Sequence, residues 1–541
     1  MTTHGSPLAL QRAPDEGTGA RRPLARERAG ARARATGVDL AWRSGAALLA
    51  AQLVLMVASS TAEYHRYDLT RDFSGYSQVW SSIAHGSLDP FSTIFDVRFW
   101  RNDLELVLWP LALVAKVFPS PISLLYIQDL AVVLAELVAL AWVRDVVRQR
   151  QLGPRVAAAI MSFGALLLVV DPWAWPTIQF DFHTEPIGAL FTVLAGRDLW
   201  RGRHRWLLVW VPLACACNAI VATYVLAVGV AGMLTARSSR RAGALVALFA
   251  LGWLAVASHL QAIGGGGTGL AAWYGYLAGG HGGHVTILDV VRGVVGHPGR
   301  VLSMLWSRRP YVEGYVLAGG VLGLASPWGF VVSAVVILPS VLNADAGFLA
   351  FPNSFQSWTA IPFLVVGGAM VLVRLAGRVD AQRDDARLHA THLTLAAMVC
   401  VVGVSTVALL VRHAPTFAGY VDSVSPAAVA RLDAVERTIP AGAEVVASQG
   451  VSGRFADGHL PFTFWATGAD DTFPVDRRTV VFVFAPVQGV AEGASVITRH
   501  AIAKVEHVLH ARALVAGDGI WAFEWTPPPG TRAVSFSTSV A

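Results

Sequence analysis

Apolar runs long enough to cross a lipid bilayer recur along most of this chain. Apolar residues make up 54% of its 541 residues and charged residues only 14%, and the mean hydropathy is +0.51. A helix needs about 20 predominantly apolar residues to cross the hydrocarbon core. Within that core all backbone polar groups must be paired inside the protein, which favours helices. The sequence therefore predicts an α-helical polytopic membrane protein.

Arginines cluster at the ends of the apolar runs, where they set the orientation of the helices. The formal net charge of +6 is therefore read as a property of cytoplasmic loops, and no nucleic-acid partner is expected. Residues 1–37 are rich in Arg, Gly, Pro and Ala without apolar periodicity, which predicts a disordered basic cytoplasmic tail. Cys215, Cys217 and Cys400 lie inside apolar segments, which is typical of small buried hydrophobes rather than redox or metal sites.

About eleven transmembrane helices are predicted within residues 38–412. The predicted spans are 44–62, 122–143, 155–174, 187–199, two short spans within 206–235, then 243–263, 311–325, 328–342, 359–376 and 393–412. The arginine clusters predict a cytoplasmic N-terminus, an extracytoplasmic C-terminus and outer loops at 63–120 and 264–310. The apolar piece Leu104–Phe118 is short for a crossing and predicts an interfacial or partly inserted helix. Segment 284–306 predicts a surface helix interrupted at Pro298.

Residues 413–541 have a different pattern. Strands are predicted at 444–447, 479–484 and 520–525, and helices at 427–438 and 494–509. The segment predicts a small extracytoplasmic α/β domain. It contains neither a glycine-rich nucleotide fingerprint nor a nucleophile elbow, which favours a structural or acceptor-guiding role over a second active site.

Two carboxylates follow the first predicted span. Asp68 and Asp72 lie just beyond it, next to Arg71, so that a general base and a phosphate-binding cation could converge there. The competing interpretation is that both acids are ordinary solvent-facing loop residues.

A second group of polar residues lies in the next predicted outer segment. Asp181, His183 and Glu185 are spaced i, i+2, i+4, which would place them on one face of an extended segment, as an acid/base or metal site needs. An ordinary polar loop has the same pattern. Asp129 and Glu136 are seven residues apart inside a span, hence on one helix face that points into the bundle, and they could mark a proton or ion path.

Several short motifs resemble those of a large bacterial and archaeal family of predicted membrane proteins of unknown function. The similarity covers roughly residues 60–490, and Asp-Phe-His-x-Glu is its most specific piece. The matching motifs are Asp72-Phe73-Ser74-Gly75-Tyr76-Ser77-Gln78, Ala84-His85-Gly86, Pro119-Ser120-Pro121, Gln128, Phe180-Asp181-Phe182-His183-Thr184-Glu185, Leu338-Pro339, Asn343 and Ile439-Pro440-Ala441. That family in turn resembles the GT-C glycosyltransferases, which transfer a sugar from a polyprenyl-phosphate donor to an acceptor outside the cytoplasm.

This resemblance implies a GT-C-like bundle, a role for each candidate residue and the partners of the protein. Asp72 would be the catalytic base with Asp68 in reserve, and Asp181 with Glu185 would form a second acidic site that His183 orients. The implied donor-phosphate-binding residues are Arg71, Arg101, Arg308 and Arg309. The implied partners are a lipid-linked sugar and a glycan, lipid or protein acceptor of the cell envelope. One base and a departing phosphate favour inversion at the anomeric carbon. No cofactor is required, although a divalent metal near Asp181 is compatible with the resemblance.

The chain departs from the family pattern at a few polar positions. Ser77 stands where relatives commonly carry a second aspartate, and Cys217-Asn218-Ala219 replaces a Lys-Glu-Asp-like outer turn. A different donor or acceptor would explain these changes, and so would loss of catalysis. Two other functions therefore stay open: a transporter or flippase of an envelope lipid or solute, and a noncatalytic envelope-assembly protein.

Overall fold

The chain folds mainly into α-helices. The computed structural model describes residues 21–101, 104–150, 152–235, 237–263, 269–278, 285, 287–345, 355–380, 403–404, 407–408, 411–412, 423–464, 471–486 and 496–536. The main helices are α1 (Arg21–His65), α2 (Arg71–Ala84), α3 (Leu108–Ala115), α4 (Ile122–Arg148), α5 (Pro154–Val169), α6 (Ala174–Gln179), α7 (Glu185–Arg201), α8 (Leu207–Cys215), α9 (Ala219–Thr235), α10 (Arg240–Ile263), α11 (Gly269–Ala278), α12 (Ile287–Gly296), α13 (Pro298–Ser307), α14 (Arg309–Gly319), α15 (Pro327–Leu342), α16 (Ala360–Asp380), α17 (Pro426–Thr438) and α18 (Val496–His507).

Five helical segments are long and apolar enough to cross a membrane. They are Gly37–His65, Ile122–Arg148, Pro154–Gln179, Arg240–Gln261 and Ala360–Gly377. Shorter apolar helices cover Ala219–Thr235 and Pro327–Leu342. These helices agree with a polytopic membrane protein, but the described residues do not supply the eleven spans that the sequence predicts.

Individual predicted spans differ from the structure for local reasons. The stretch 206–235 does form two helices, α8 and α9, which confirms the predicted break near Cys217. The predicted span 311–325 is broken, because α14 ends at Gly319 and Gly320 adopts φ +85° before a 3-10 turn. Most of the predicted span 393–412 lies outside the described residues.

Helices also appear at positions that the sequence predicts differently or only in outline. α1 begins at Arg21, inside the predicted disordered tail, because Ala and Arg have high helix propensity. The predicted surface helix is present as α12 and α13, with Pro298 at the first turn of α13.

Small residues allow α1 to pack closely against α4 and α5. A Cβ atom on Gly45 would lie 3.0 Å from both Leu140 of α4 and Ala165 of α5. Gly164 approaches Val143 in the same way, with a Cβ position 3.1 Å from its side chain. Helices in lipid gain most of their association energy from such close packing. The helices α1, α4 and α5 therefore pack closely against one another.

We expect Gly329→Ala to lower the thermal stability of the purified protein, because a Cβ at this position would lie 2.2 Å from the backbone oxygen of Gly323. Backbone atoms cannot move aside easily, so the overpacking is expected to lower the free energy of unfolding by about 1–3 kcal/mol. The melting temperature in detergent measures the effect. Gly252→Ala in α10 is the matched control, since a Cβ there meets nothing within 4 Å. Equal melting temperatures for the two variants would contradict this packing.

The C-terminal residues form a mixed sheet. Its strands are β3 (Glu444–Ser448), β4 (Leu460–Phe464), β6 (Val480–Phe484), β7 (Arg512–Gly517) and β8 (Ile520–Trp525), in the spatial order β4-β3-β6-β8-β7. β3 pairs in parallel with β4 and β6, whereas β8 runs antiparallel to β6 and β7. The strands β5 (Asp471–Pro474) and β9 (Ala533–Phe536) form a separate antiparallel pair, as do β1 (Phe91–Ser92) and β2 (Val97–Arg98) between α2 and α3. We call residues 423–536 the C-terminal unit.

Candidate functional site

The side chain of Asp181 holds the start of helix α2. Its carboxylate accepts hydrogen bonds from the backbone N–H of Thr70 (2.8 Å), from the Thr70 hydroxyl and from the backbone N–H of Phe73 (3.3 Å). A carboxylate is favourable at a helix N-terminus, where the first N–H groups have no helical partner. Asp181 is buried, so it acts here as an internal cap that fixes the position of the next residues, including Asp72.

Gln128 of α4 holds the segment that carries Asp181 and His183. Its side-chain Nε2 donates to the backbone oxygen of Asp181 (2.8 Å), and its Oε1 accepts from the backbone N–H of His183 (2.6 Å). Asp181 adopts φ +50°, a left-handed conformation that aspartate tolerates better than most residues. The bonds to Gln128 and Thr70 compensate for the cost of this conformation.

Asp72 and His183 face each other at one end of the bundle. Asp72 Oδ2 lies 3.6 Å from His183 Nε2, and the Asp72 side chain is 30% exposed whereas that of His183 is 8% exposed. His183 Nδ1 lies 3.0 Å from the Phe180 carbonyl oxygen, to which it donates, so Nε2 points at Asp72. The imidazole is stacked on Phe180 and Phe355, the latter with a centroid distance of 3.8 Å. The ring is therefore fixed, and the carboxylate is the more accessible member of the pair.

The electrostatics of this pair favour its charged form. Burial alone would raise the pKa of Asp72, but the imidazole of His183 at 3.6 Å, with the guanidinium of Arg71, leaves that pKa below its ordinary value. Burial alone would lower the pKa of His183, but the nearby carboxylates of Asp72, Glu185 and Asp181 leave it raised. The two shifts agree in sign with an ion pair. At neutral pH Asp72 is thus ionised, as a general base must be.

Asp68, the reserve base candidate, contacts the C-terminal unit rather than His183. It is buried and accepts a hydrogen bond from the Ser423 hydroxyl at the start of the C-terminal unit. Burial raises the pKa of Asp68 to about 6, with the Ser423 bond opposing and Asp181 adding to the rise. Burial likewise raises the pKa of Asp181 to about 6, with Asp72 adding to it. Among the acids described at this end, Asp72 is the one that combines exposure with a lowered pKa.

The C-terminal unit holds the residues that precede α2. The backbone N–H of Gly453 donates to the backbone oxygen of Leu69 (2.9 Å). The Tyr67 hydroxyl donates to Glu436 (2.6 Å), which also pairs with Arg454 (2.7 Å). The loop in front of Asp72 is therefore fixed between the helical bundle and the C-terminal unit.

Sequence reasoning missed Glu105. Its buried Oε1 accepts from the Tyr76 hydroxyl (2.7 Å), the Thr184 hydroxyl (2.8 Å) and Asn218 Nδ2 (3.1 Å). These donors come from α2, from the His183 segment and from the turn between α8 and α9. We call the end of the bundle formed by residues 67–101, 104–107, 180–185 and 216–218 the site end. The one available signal was an acid directly before an apolar helix, which does not reveal its partners.

The other predicted site residues lie in different surroundings. Arg71 Nε is 3.7 Å from Asp72 Oδ1, and its guanidinium lies over Phe95. Arg308 donates to the backbone oxygens of Val341 and Asn343 at the end of α15.

Glu185 is buried at the first position of α7, Arg309 lies over the Trp306 ring, and the Arg101 side chain is outside the described residues. Of the four predicted cations, the structure brings Arg71 into contact with Asp72.

Within the described residues, no group of three or more His, Cys, Asp or Glu side chains could hold a metal ion. The Asp181 carboxylate, near which a divalent metal is compatible with the resemblance but not required, accepts hydrogen bonds from Thr70 and Phe73.

Comparison with known proteins gives one family and one distant structural likeness of note. A search of curated proteins gives no match. Among solved structures, the chain is similar to the crystal structure of ArnT from Cupriavidus metallidurans bound to undecaprenyl phosphate, with 10% sequence identity and a TM-score of 0.47 over 87% of this chain and 97% of that chain. The family model described as "Predicted membrane protein (DUF2079)" matches residues 72–457, from the Asp72 helix into the C-terminal unit. Since this match covers more than half of the sequence, the chain belongs to the DUF2079 family of predicted membrane proteins.

Proposed function

We propose that this protein is a membrane glycosyltransferase that moves a sugar from a polyprenyl-phosphate donor to an extracytoplasmic acceptor of the cell envelope. The observation that carries the proposal is the pairing of a partly exposed Asp72, whose pKa is lowered, with a buried His183, whose pKa is raised. The donor class comes from the resemblance of the motifs around these residues to GT-C enzymes. The proposal places the site end and the C-terminal unit outside the cytoplasm.

The pair can divide the work of an inverting transfer. Asp72 takes the proton from the acceptor hydroxyl as its oxygen attacks the anomeric carbon, while the bond from that carbon to the lipid phosphate breaks. The phosphate leaves as an anion, and the positive charges of His183 and Arg71 lie where they can stabilise it. Because these groups are held by packing before the donor arrives, little reorganisation is needed during the reaction.

A transfer assay tests the proposed function. Membranes that contain the full chain are incubated with radiolabelled polyprenyl-phosphate sugars and an envelope fraction, and glycosylated product is separated from free donor. Membranes without the protein are the control. The proposal predicts product only with the protein. If no donor of this class gives product, but vesicles with the protein take up the labelled lipid or solute, then the transporter function is correct instead.

The pH profile of transfer is expected to have two limbs with assigned groups. Since the pKa of His183 is raised, its positive charge persists below that pKa, and activity falls as the pH rises through it. Since the pKa of Asp72 is lowered, the base loses activity only when the pH falls below the ordinary range of aspartate. In His183→Asn the rate should be lower throughout, the alkaline limb should disappear, and the acid limb should move up towards the ordinary Asp pKa. An unchanged acid limb in this variant would contradict the coupling of the two residues.

A further inference from the structure

A row of buried carboxylates runs from the site end into the bundle. Glu63 of α1 and Asp129 of α4 are buried, and Glu63 interacts electrostatically with Asp68, Asp129 and Asp181. The Ser60 hydroxyl donates to Asp129 Oδ1 (3.1 Å), which ties α1 to α4 at this level. Buried carboxylates without a cationic partner are costly at membrane depth, so such groups usually serve a function.

Glu136 continues this row on the same face of α4. It lies two helical turns beyond Asp129, it is buried, and neither of its carboxylate oxygens has a hydrogen-bond partner among the described residues. The carboxylate that interacts electrostatically with Glu136 is that of Asp171. The oxygens of Asp171 accept hydrogen bonds from the backbone N–H of Trp173 (2.9 Å) and from Trp358 Nε1 (2.8 Å). Asp171 is therefore satisfied by the protein, whereas Glu136 is not.

Gln52 supplies an independent polar group at the same level. It is 6% exposed, and both its amide nitrogen and its amide oxygen are without a hydrogen-bond partner among the described residues. The Cβ position of Gly45 contacts Leu140. Gln52 lies seven residues after Gly45 on α1, a rise of about 10 Å along the helix. Glu136 lies four residues before Leu140 on the antiparallel helix α4, a rise of about 6 Å in the same direction. Since side chains tilt towards the N-terminus of their helix, the Gln52 amide and the Glu136 carboxylate are directed towards the same level.

The occupant that fits this row is a proton. Buried polar groups are almost always paired with protein, water or an ion. The described residues contain no group of three or more acidic, His or Cys side chains that could hold a metal ion, because the carboxylates are spread along the bundle. A carboxylate that takes up a proton becomes neutral and is then compatible with an apolar interior.

We propose that Glu63, Asp129 and Glu136, with Gln52, form a proton-binding half-channel that opens to the site end and is closed at Gly45. Glu63 lies near the end of α1, and its backbone oxygen accepts from the Asp68 N–H (3.1 Å). Gln128, which adjoins Asp129, bonds the segment of His183 that faces the partly exposed Asp72. These contacts place the open end of the row at the site end. The closure follows from the close packing at Gly45, where a Cβ atom would lie 3.0 Å from both Leu140 and Ala165. The half-channel would bind protons from the compartment that the site end faces, and this inference does not depend on the glycosyltransferase function.

Infrared difference spectroscopy of the full-length protein tests proton binding. At neutral pH the wild type should show the carbonyl stretch of protonated carboxyl groups, and Glu136→Gln and Asp129→Asn should each lose part of this band. Because Gln mimics a neutral Glu, Glu136→Gln should also leave the melting temperature unchanged. Glu506→Gln, an exposed acid of the C-terminal unit, is the control and should keep the band.

Three results would overturn the proposal. The first is a spectrum of Glu136→Gln and of Asp129→Asn identical to the wild type, which would mean that neither carboxyl is protonated. The second is loss of the band when choline is replaced by Na⁺ at constant ionic strength, which would mean that a cation occupies the row. The third is a proton leak above that of empty vesicles under an imposed potential, since a half-channel closed at Gly45 conducts no net current.

Discussion

Asp72→Asn is expected to abolish sugar transfer while leaving the fold intact. Asn has nearly the same shape as Asp, and the cap of α2 is provided by Asp181 and Thr70 rather than by Asp72, so little destabilisation is expected. The amide cannot accept the proton of the acceptor hydroxyl, and a positioned general base contributes about 10²–10⁴-fold to a rate. The initial rate of product formation at saturating donor measures the loss.

The matched control for this variant is Asp518→Asn. The Asp518 side chain is more exposed than that of Asp72, and it pairs with Arg431 on the C-terminal unit rather than with His183. It should retain the rate of the wild type. Equal rates for Asp72→Asn and the wild type would exclude Asp72 as the base and with it the proposed mechanism. Loss of activity accompanied by loss of the folded state would be revealed by the melting temperature of each variant.

Glu105→Ala is expected to cause the second large effect, which combines lower stability with lower activity. The change leaves three buried donors, those of Tyr76, Thr184 and Asn218, without their shared acceptor. A loss of about 3 kcal/mol in the free energy of unfolding is expected, since each unpaired buried polar group costs about 1–3 kcal/mol and part of the network can rearrange. Thermal unfolding in detergent measures this effect.

Glu105 is a positioning residue, because it contacts the neighbours of His183 rather than the reacting atoms. Thr184 directly follows His183, and the ring of Tyr76 meets the His183 ring edge to face at 6.0 Å. We therefore expect Glu105→Gln, which keeps one oxygen acceptor, to recover most of the stability but to move the alkaline limb of the pH profile. Glu506→Ala serves as the surface control. If Glu105→Gln changed the melting temperature but left the pH profile as in the wild type, its role would be structural alone.

The sequence predicts the class of fold and the main members of the site because both follow from local signals. Spanning-length apolar runs predict the helices, and arginine clusters predict that the segments of Asp72 and Asp181–Glu185 lie on one side of the membrane. The break between α8 and α9 was also predictable, since basic residues flank both ends of that apolar stretch. The short spans were harder to predict, because the interruption at Gly320 depends on a backbone conformation that no periodicity reports.

The roles within the site depend on contacts between distant segments. Position along the chain does not distinguish Asp68 from Asp72, and only the resemblance ranks Asp72 first. In the structure Asp68 is tied to Ser423, whereas Asp72 faces His183. Asp181 was predicted as part of a second acidic site, but its oxygens cap a helix that starts more than a hundred residues earlier. The one signal at Glu105, an acid directly before an apolar helix, does not reveal its partners, since its three donors lie on three separate segments. Such assignments require the tertiary structure, because one carboxylate can serve as base, cap or network centre.

The hydrogen bonds between the C-terminal unit and residues Leu69 and Tyr67 have a consequence for biogenesis. During synthesis the chain emerges from its N-terminus, so α1 and α2 are complete long before Gly453, Arg454 and Glu436 exist. The residues in front of Asp72 receive their final contacts only when the last fifth of the protein has been made and folded. Under the proposed glycosyltransferase function, the newly inserted bundle would stay inactive until these contacts form, and a prematurely terminated chain would be a membrane protein without a fixed base.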